Sequence, residues 1–225
     1  MKANLSDRHK KNALVLTGGG ARAAYQVGVL SAITKYMPRH HASPFPILCG
    51  TSAGAINSTA LACYSSCFHL AVKKLEWVWN NFNTGRVYYS DPARVFGHLT
   101  RGVMASFQAD YANKKARSLL NNMPLRELLN DVVDFKRIDV NIMKGYLSAL
   151  SITASSYSSG NSVSFYQSKS TIEPWFREKR YGRPCQIDSE HLMASAAIPF
   201  VFPSVKIKND HFGDGSIHQL SPLSP

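Results

Sequence analysis

The stretch Ile47-Leu-Cys-Gly-Thr-Ser-Ala-Gly-Ala-Ile-Asn57 joins a short apolar run to a run of small residues. Within it, Gly50-Thr-Ser-Ala-Gly54 matches the pattern G-x-S-x-G, in which glycines allow a sharp strand-to-helix turn that exposes a serine hydroxyl. Such a serine also lies at a helix N-terminus, where the partial positive charge favours a developing anion. A five-residue match also occurs by chance, so a purely structural turn is an equal alternative for Ser52.

Two strand–turn–helix units in succession predict the fold class. Residues 12–17 form an apolar run ended by three glycines, and residues 21–36 have helical apolar spacing. Residues 45–49 and 53–64 repeat this strand and helix. Because successive units of this kind pair their strands in parallel, we expect an α/β fold with a mostly parallel central sheet and helices on both faces.

Later segments predict further helices and two β-hairpins. Residues 146–154 and 162–167 flank a serine-rich turn, and residues 205–208 and 211–213 flank Asn209-Asp210, as hairpin strands do. The pattern predicts helices at 70–79, 93–107, 125–133 and 191–197, and an irregular segment at 168–190. The expected organisation is a tail at 1–11 and one domain at 12–225.

Composition limits the class of protein. The chain has 225 residues, 44% of them hydrophobic and 18% charged, which is typical of a globular domain. It has no secretory signal pattern and no apolar run long enough to span a bilayer. Four cysteines without zinc-site spacing predict reduced thiols. We therefore expect a cytoplasmic protein with peripheral membrane contact, although delivery by a route that needs no signal stays open.

The formal net charge of +12 suits an anionic partner. Nucleic acid is the weaker choice, because the sequence has no zinc-finger spacing, no aromatic RNA-binding motif and no clear helix-turn-helix. Residues 172–184 interleave aromatic side chains with arginine and lysine, a combination that suits an anionic membrane surface. The alternative is a solvated loop whose aromatic residues pack on the core.

Three glycines at 18–20 follow the first strand. Their N–H groups are not shielded by side chains, so they can form an oxyanion hole or hold a phosphate at the start of a helix. A Walker A loop is excluded because no Gly-Lys-Ser/Thr follows. A dinucleotide loop is incomplete, since Ala23 replaces its last glycine and the next acidic residue after Asp7 is Glu76.

A serine nucleophile needs a group that accepts its proton. Asp214 stands in Phe-Gly-Asp-Gly-Ser after the second hairpin, where a plain turn aspartate is the alternative. The only histidine after it, His218, is four residues away, which does not fit the Ser…Asp…His order of α/β-hydrolases. Together with Ser52 and the glycine loop, Asp214 suggests a serine–aspartate dyad without histidine.

These three motifs, in this order, resemble the patatin-like phospholipase family. The family pairs G-G-G-x-R/K-G with G-x-S-x-G and D-G-G/A, which stand here as GGGARA, GTSAG and DGS. The likeness runs from about residue 13 to the end. It implies a three-layer sandwich with Ser52 as nucleophile, Asp214 as base, and Gly19 and Gly20 as oxyanion donors. The supporting loop residues that it implies are Gly18, Arg22, Gly50, Gly54 and Gly215.

The resemblance also implies the chemistry. We expect a lipid acyl hydrolase that acts on phospholipid or lysophospholipid through an acyl-enzyme, with no metal and no cofactor. Ala23 and Ser216 depart from the family pattern. Family domains continue past the final Ser-Pro repeats, so we also expect the chain to be truncated at its C-terminal end. The alternative function is a catalytically silent domain that binds lipid or phosphate through the glycine loop.

Overall fold

The computed structural model describes residues 12–81 and 122–223. The tail at 1–11 and the helix expected at 93–107 lie outside the described residues. The strands are β1 (Ala13–Leu16), β2 (Ile47–Thr51), β3 (Ala149–Ser156), β4 (Ser162–Ser168), β5 (Trp175–Arg177), β6 (Arg180–Pro184), β7 (Val205–Ile207) and β8 (Asp210–Asp214). The helices are α1 (Ala23–Thr34), α2 (Ala53–Cys63), α3 (Phe68–Asn80), α4 (Met123–Val132), α5 (Lys136–Met143) and α6 (Ser189–Ser195), with 3-10 turns at Gly20–Arg22 and Gly215–Ile217.

The strands form one sheet in the order β1-β2-β3-β4-β6-β5, and β8 pairs with both β3 and β7. This central sheet is flanked by helices, which confirms the α/β class. Pairs β1–β2, β2–β3 and β4–β6 are parallel. The pairs β3–β4, β3–β8, β5–β6 and β7–β8 are antiparallel, so the hairpins make the sheet less parallel than its first two units predict.

Strand β3 brings distant parts of the chain together. Strand β4 occupies one edge of β3, and β2 and β8 share the other edge. Thr51 at the end of β2 pairs with Thr153, and Asp214 at the end of β8 pairs with Ala154. Because β2 is parallel to β3 and β8 is antiparallel to it, their carboxyl ends meet on β3.

The core lies between the sheet and its helices. Helix α2 is buried along its whole length and packs on β1, β2 and β3, while α1 and α3 pack against α2. Helix α6 packs on β3, β7 and β8. The largest completely buried side chains are apolar, and each is worth about 1.5–3 kcal/mol relative to an exposed position; they include Leu48, Leu61, Leu150, Ile152 and Phe212.

Two segments differ from expectation. Residues 168–190 are not irregular throughout, because β5 and β6 form a hairpin in which the Trp175 ring covers Gly182. A Cβ on Gly182 would lie 2.0 Å from Trp175 Nε1, so the hairpin needs glycine at this position to make room for the Trp175 ring. The alternation of apolar and polar residues in the sequence does not reveal such a contact. Helix α6 begins at Ser189 rather than at 191, since Asp188 Oδ1 accepts from Glu190 N at 2.9 Å and caps it.

The four cysteines are free thiols. Cys49 and Cys63 are buried, and burial raises the pKa of Cys49 to about 11. In the described parts of the chain, no helix is both long enough and apolar enough to cross a bilayer. The same residues contain no cluster of three or more His, Cys, Asp or Glu side chains able to hold a metal ion.

Candidate active site

Ser52 occupies the turn between β2 and α2 with φ 55° and ψ −128°. A positive φ is strained for any residue other than glycine, and surrounding structure must hold it. Gly50 and Gly54 allow the first turn of α2 to pack closely against β1 and β2, and this packing holds the Ser52 turn in place. A Cβ on Gly50 would lie 2.5 Å from Gly54 O, and one on Gly54 would lie 2.2 Å from Leu16 O.

Ser195, the last residue of α6, fixes this turn from the other side. Ser52 N donates to Ser195 Oγ at 2.9 Å, and Ser195 Oγ donates to Thr153 O at 2.6 Å. Both bonds are buried, so the strained peptide is tied to β3 by a satisfied network. Sequence analysis did not identify Ser195 as a site residue, because its role depends on the packing of α6 on β3.

Ser52 and Asp214 form a direct hydrogen bond. Ser52 Oγ donates to Asp214 Oδ2 at 2.7 Å, and each residue is 5% exposed. The other carboxylate oxygen, Oδ1, accepts from Ser216 N at 2.7 Å. Asp214 is therefore oriented with one oxygen against the backbone and the other toward the hydroxyl, where it can accept the Ser52 proton.

The turn after Asp214 runs close to β3. A Cβ on Gly215 would lie 2.1 Å from Thr153 O, so a side chain there would push the turn away from the strand. Gly215, Gly50 and Gly54 thus support the site through close backbone packing beneath Ser52 and Asp214.

Histidine is not part of this arrangement among the described residues. His211 and His218 are exposed, and neither forms a hydrogen bond with Ser52 or Asp214. His191 is buried in α6, where its Nδ1 lies 2.7 Å from Asp188 Oδ1. The described geometry is thus that of a serine–aspartate pair.

The glycine loop lies beside Ser52. A Cβ on Gly18 would lie 3.2 Å from Ser52 Cβ, and Gly20 has a φ of +54°. Gly18 N donates to Leu220 O at 3.4 Å. In contrast, the N–H groups of Gly19 and Gly20 donate to no backbone oxygen of residues 12–81 or 122–223, so they remain able to bind a ligand oxygen.

A cleft of about 660 Å³ opens over these groups. Its lining includes the glycine loop, Ser52, Asp214 and Arg22. At its mouth stand apolar side chains that are exposed to solvent; this apolar rim consists of Tyr25, Ile198, Ile217 and Leu220. The size is that of a small-molecule site, and the lining is amphiphilic.

The two departures from the motif pattern have different surroundings. Ala23 is buried at the start of α1, and its carbonyl oxygen accepts from Asn57 Nδ2 at 3.2 Å. Ser216 Oγ is buried and has no hydrogen-bond partner among the described residues. It lies against Gly18, at the floor of the cleft.

A serine held at a strand-to-helix turn of an α/β sheet is the arrangement of many hydrolases. The family described as patatin-like phospholipase matches residues 14–225, and the chain belongs to this family. Its members usually hydrolyse lipid esters, which makes hydrolase the general class. A search of the curated proteins found no match.

Proposed function

We propose that the protein is a lipid acyl hydrolase that cleaves carboxylic esters of phospholipids or lysophospholipids. One observation carries this proposal: Ser52 Oγ donates to Asp214 Oδ2 at 2.7 Å from a strained turn beside the glycine loop. A structural turn would not require a buried carboxylate against the serine, because burying a charged group is costly unless it has partners.

The proposed reaction has two halves. Asp214 Oδ2 accepts the Ser52 proton as Oγ attacks the ester carbonyl, and the N–H groups of Gly19 and Gly20 hold the oxyanion. The alcohol leaves with that proton and an acyl-enzyme remains. Water, activated by Asp214, then releases the fatty acid. Losing one oxyanion donor costs other enzymes a factor of ~10²–10³ in rate, so the loop should matter greatly.

The shape of the cleft supports an amphiphilic substrate. The apolar rim can hold acyl chains at the mouth, while Arg22 belongs to the lining and carries a guanidinium group able to pair with a phosphate. No further group is needed for ester hydrolysis, and the proposal includes no cofactor.

The alternative is a catalytically silent domain that binds lipid or phosphate through the glycine loop. The free N–H groups of Gly19 and Gly20 favour it equally well. It gives no role to the hydrogen bond between Ser52 and Asp214, which is why we prefer the hydrolase.

Labelling with a fluorophosphonate probe, alongside hydrolysis of a short soluble ester, tests the proposal. Ser52→Ala should abolish both signals, and Asp214→Asn should lower turnover by ~10²–10⁴, the usual contribution of a general base. Ser31→Ala, on α1 and outside the cleft, is the control and should behave as the wild type. Undiminished labelling of a folded Ser52→Ala protein would contradict the proposal. A wild type that binds lipid without labelling would favour the silent domain.

A second set of variants tests the absence of histidine from the chemistry. His191→Gln, His211→Ala and His218→Ala should each keep most of the soluble-ester turnover, because none of these side chains forms a hydrogen bond with Ser52 or Asp214 within the described residues. Circular dichroism checks that each variant is folded. If a folded histidine variant lost as much turnover as Ser52→Ala, the dyad would have to be replaced by a triad.

A further inference from the structure

We propose that the β5–β6 hairpin is a docking surface for an anionic lipid bilayer, placed at the same end of the sheet as the catalytic cleft. The hairpin surface consists of Phe176, Arg177, Lys179, Tyr181 and Arg183, all of them exposed. This proposal rests on the proposed lipid hydrolase function, but the binding of the protein to a bilayer can be measured without hydrolysis.

The aromatic residues of the hairpin divide into two groups. Trp175 is half-buried and covers Gly182, so it holds the two strands together. Phe176 and Tyr181 are 61% and 37% exposed, with ring centroids 4.5 Å apart. A paired aromatic cluster in solvent stabilises the core little, and rings of this kind partition favourably into the polar–apolar boundary of a bilayer. The expectation that all these aromatic residues pack on the core is therefore not met by Phe176.

Cations lie on both faces of the hairpin and in its turn, with Arg177 on the Trp175 face, opposite Phe176 and Tyr181. The guanidinium carbon of Arg177 lies 5.3 Å from the centre of the Trp175 ring, which holds that charge on the hairpin. Lys179 stands in the turn and Arg183 on β6, while Glu178 is the acidic residue of the turn. Because each lysine or arginine near an anionic leaflet contributes about 1 kcal/mol, the surplus of positive charge is complementary to phosphatidylserine-like head groups.

The pairing register connects this surface to the site. One row of cross-strand neighbours runs from Asp214 through Ala154, Val163 and Tyr181 to Phe176. Neighbouring strands are about 4.8 Å apart, so the two rings lie roughly 14–19 Å to the side of Asp214 at the same height along the strands.

The hairpin turn points to the same end of the sheet. Ser162 N donates to Lys179 O at 2.9 Å, and Ser162 pairs with Ser155, beyond the level at which β2 ends. A bilayer that touches the turn is thereby held beside the mouth of the cleft. This position favours a lipid surface over nucleic acid, which the same cations and rings could also bind.

Sedimentation with vesicles tests the proposal in a full-length Ser52→Ala background, in which lipid is not consumed. The vesicles are phosphatidylcholine with or without phosphatidylserine. Arg177→Gln/Lys179→Gln/Arg183→Gln should weaken binding to anionic vesicles by about two orders of magnitude, and added salt should remove the difference. Phe176→Ser/Tyr181→Ser should weaken binding also at high salt.

The matched control is Lys35→Gln/Tyr36→Ser. It removes a cation and a ring that is 90% exposed, at the far end of α1. That helix starts at the glycine loop and is roughly 18 Å long, so the control site lies away from the cleft. We expect its binding to match that of the parent.

Several outcomes would overturn the proposal. They are parental vesicle binding by the hairpin variants, an equal loss in the control, or a loss of single-stranded RNA binding with vesicle binding intact. With Ser52 restored, the hairpin variants should turn over a short soluble ester at the wild-type rate, which shows that the fold is kept. If the hairpin variants lost both soluble-ester turnover and thermal stability, the hairpin residues would be assigned to the packing of the core. A wild-type protein that binds vesicles but hydrolyses no ester would refute the hydrolase proposal alone.

Discussion

Gly18 lies where the glycine loop passes closest to Ser52. A Cβ at this position would be 2.1 Å from Ser216 Oγ and 3.2 Å from Ser52 Cβ. Contacts below 3.0 Å force a shift, whereas a contact of 3.2 Å needs only a small adjustment. The hydroxyl of Ser216 is therefore the main obstacle to a side chain in the loop.

This contact predicts a rescue. Gly18→Ala should lower ester turnover, because the added methyl must push aside either the Ser216 hydroxyl or the loop, and a small misplacement of catalytic groups is costly. Ser216→Gly alone should have little effect, since the hydroxyl it removes has no partner among the described residues. In the double variant, most of the turnover should return.

A double-mutant cycle on kcat/KM measures the effect, because residues in contact show non-additive changes. Additive losses in folded variants would show that the two positions do not interact.

The sequence was informative about residues whose roles are local. Ser52 and the glycine loop were predicted because a sharp turn and a side-chain-free loop require particular residues at fixed spacing. Ser195 was missed because a serine in a short helix has no distinguishing pattern. Its hydrogen bonds to Ser52 N and Thr153 O exist only after α6 packs on β3.

At the scale of elements, α6 connects a charged cap with the catalytic turn. Asp188 caps its first turn, and Ser195 at its last residue holds Ser52. Burial lowers the pKa of His191, but hydrogen bonding to Asp188 and Cys185 outweighs that effect and raises the pKa from 6.5 to about 9. The imidazolium form is thus part of the folded structure at neutral pH.

This shift predicts a pH dependence of stability. Because the pKa is higher in the folded state, the stabilisation is complete below about pH 6.5 and is lost as the pH rises to about 9. The slope is at most about 1.4 kcal/mol per pH unit. Urea unfolding of wild type and His191→Gln between pH 6 and 9 should show a difference that shrinks with rising pH. A constant difference would mean that the charge of His191 does not stabilise the fold.

Elements with strong periodicity were predicted well. Both early strand–helix units and the two hairpins around β3–β4 and β7–β8 are present. The β5–β6 hairpin was missed because its strands are short, charged and interrupted by Gly182. The start of α6 was placed late because its cap, Asp188, precedes the apolar residues that identify the helix.

At the scale of the whole molecule, three segments distant in sequence place apolar side chains at the cleft: they contain Tyr25, Ile198, and the pair Ile217 and Leu220. Phe200 and Leu223 follow the rim residues Ile198 and Leu220 closely along the chain, and both are apolar side chains that are mostly exposed, by 86% and 77%. Exposed apolar groups around a cleft are typical of surfaces that contact lipid. Neither residue lines the cleft itself.

The rim predicts a difference between substrates. Phe200→Ser/Leu223→Ser should lower turnover of long-chain phospholipid in vesicles by roughly tenfold or more, since each buried side chain of this size contributes about 1.5–3 kcal/mol. Turnover of a monomeric short ester should change little. Tyr36→Ser is the control for an exposed ring elsewhere. Equal losses on both substrates would assign the two side chains to the chemistry or to the fold.

The overall sheet order was beyond reach of the sequence. Parallel pairing of the first units follows from connection rules, but the placement of β8 end to end with β2 depends on contacts between residues far apart in the chain. The sequence therefore predicted that Ser52 and Asp214 lie together, as their hydrogen bond shows, without showing which strands bring them there.

Ser52 and Asp214 are 162 positions apart in the sequence. They meet because β8 pairs with β3 just beyond the point at which β2 ends. Under the proposed mechanism, a chain emerging from the ribosome has no base beside Ser52 until its last strands have docked. We therefore expect nascent chains to leave membrane lipids intact. For the same reason, we expect two halves of the chain separated at the exposed turn 157–160 to be inactive apart, and ester turnover after mixing would report the closure of the sheet in real time.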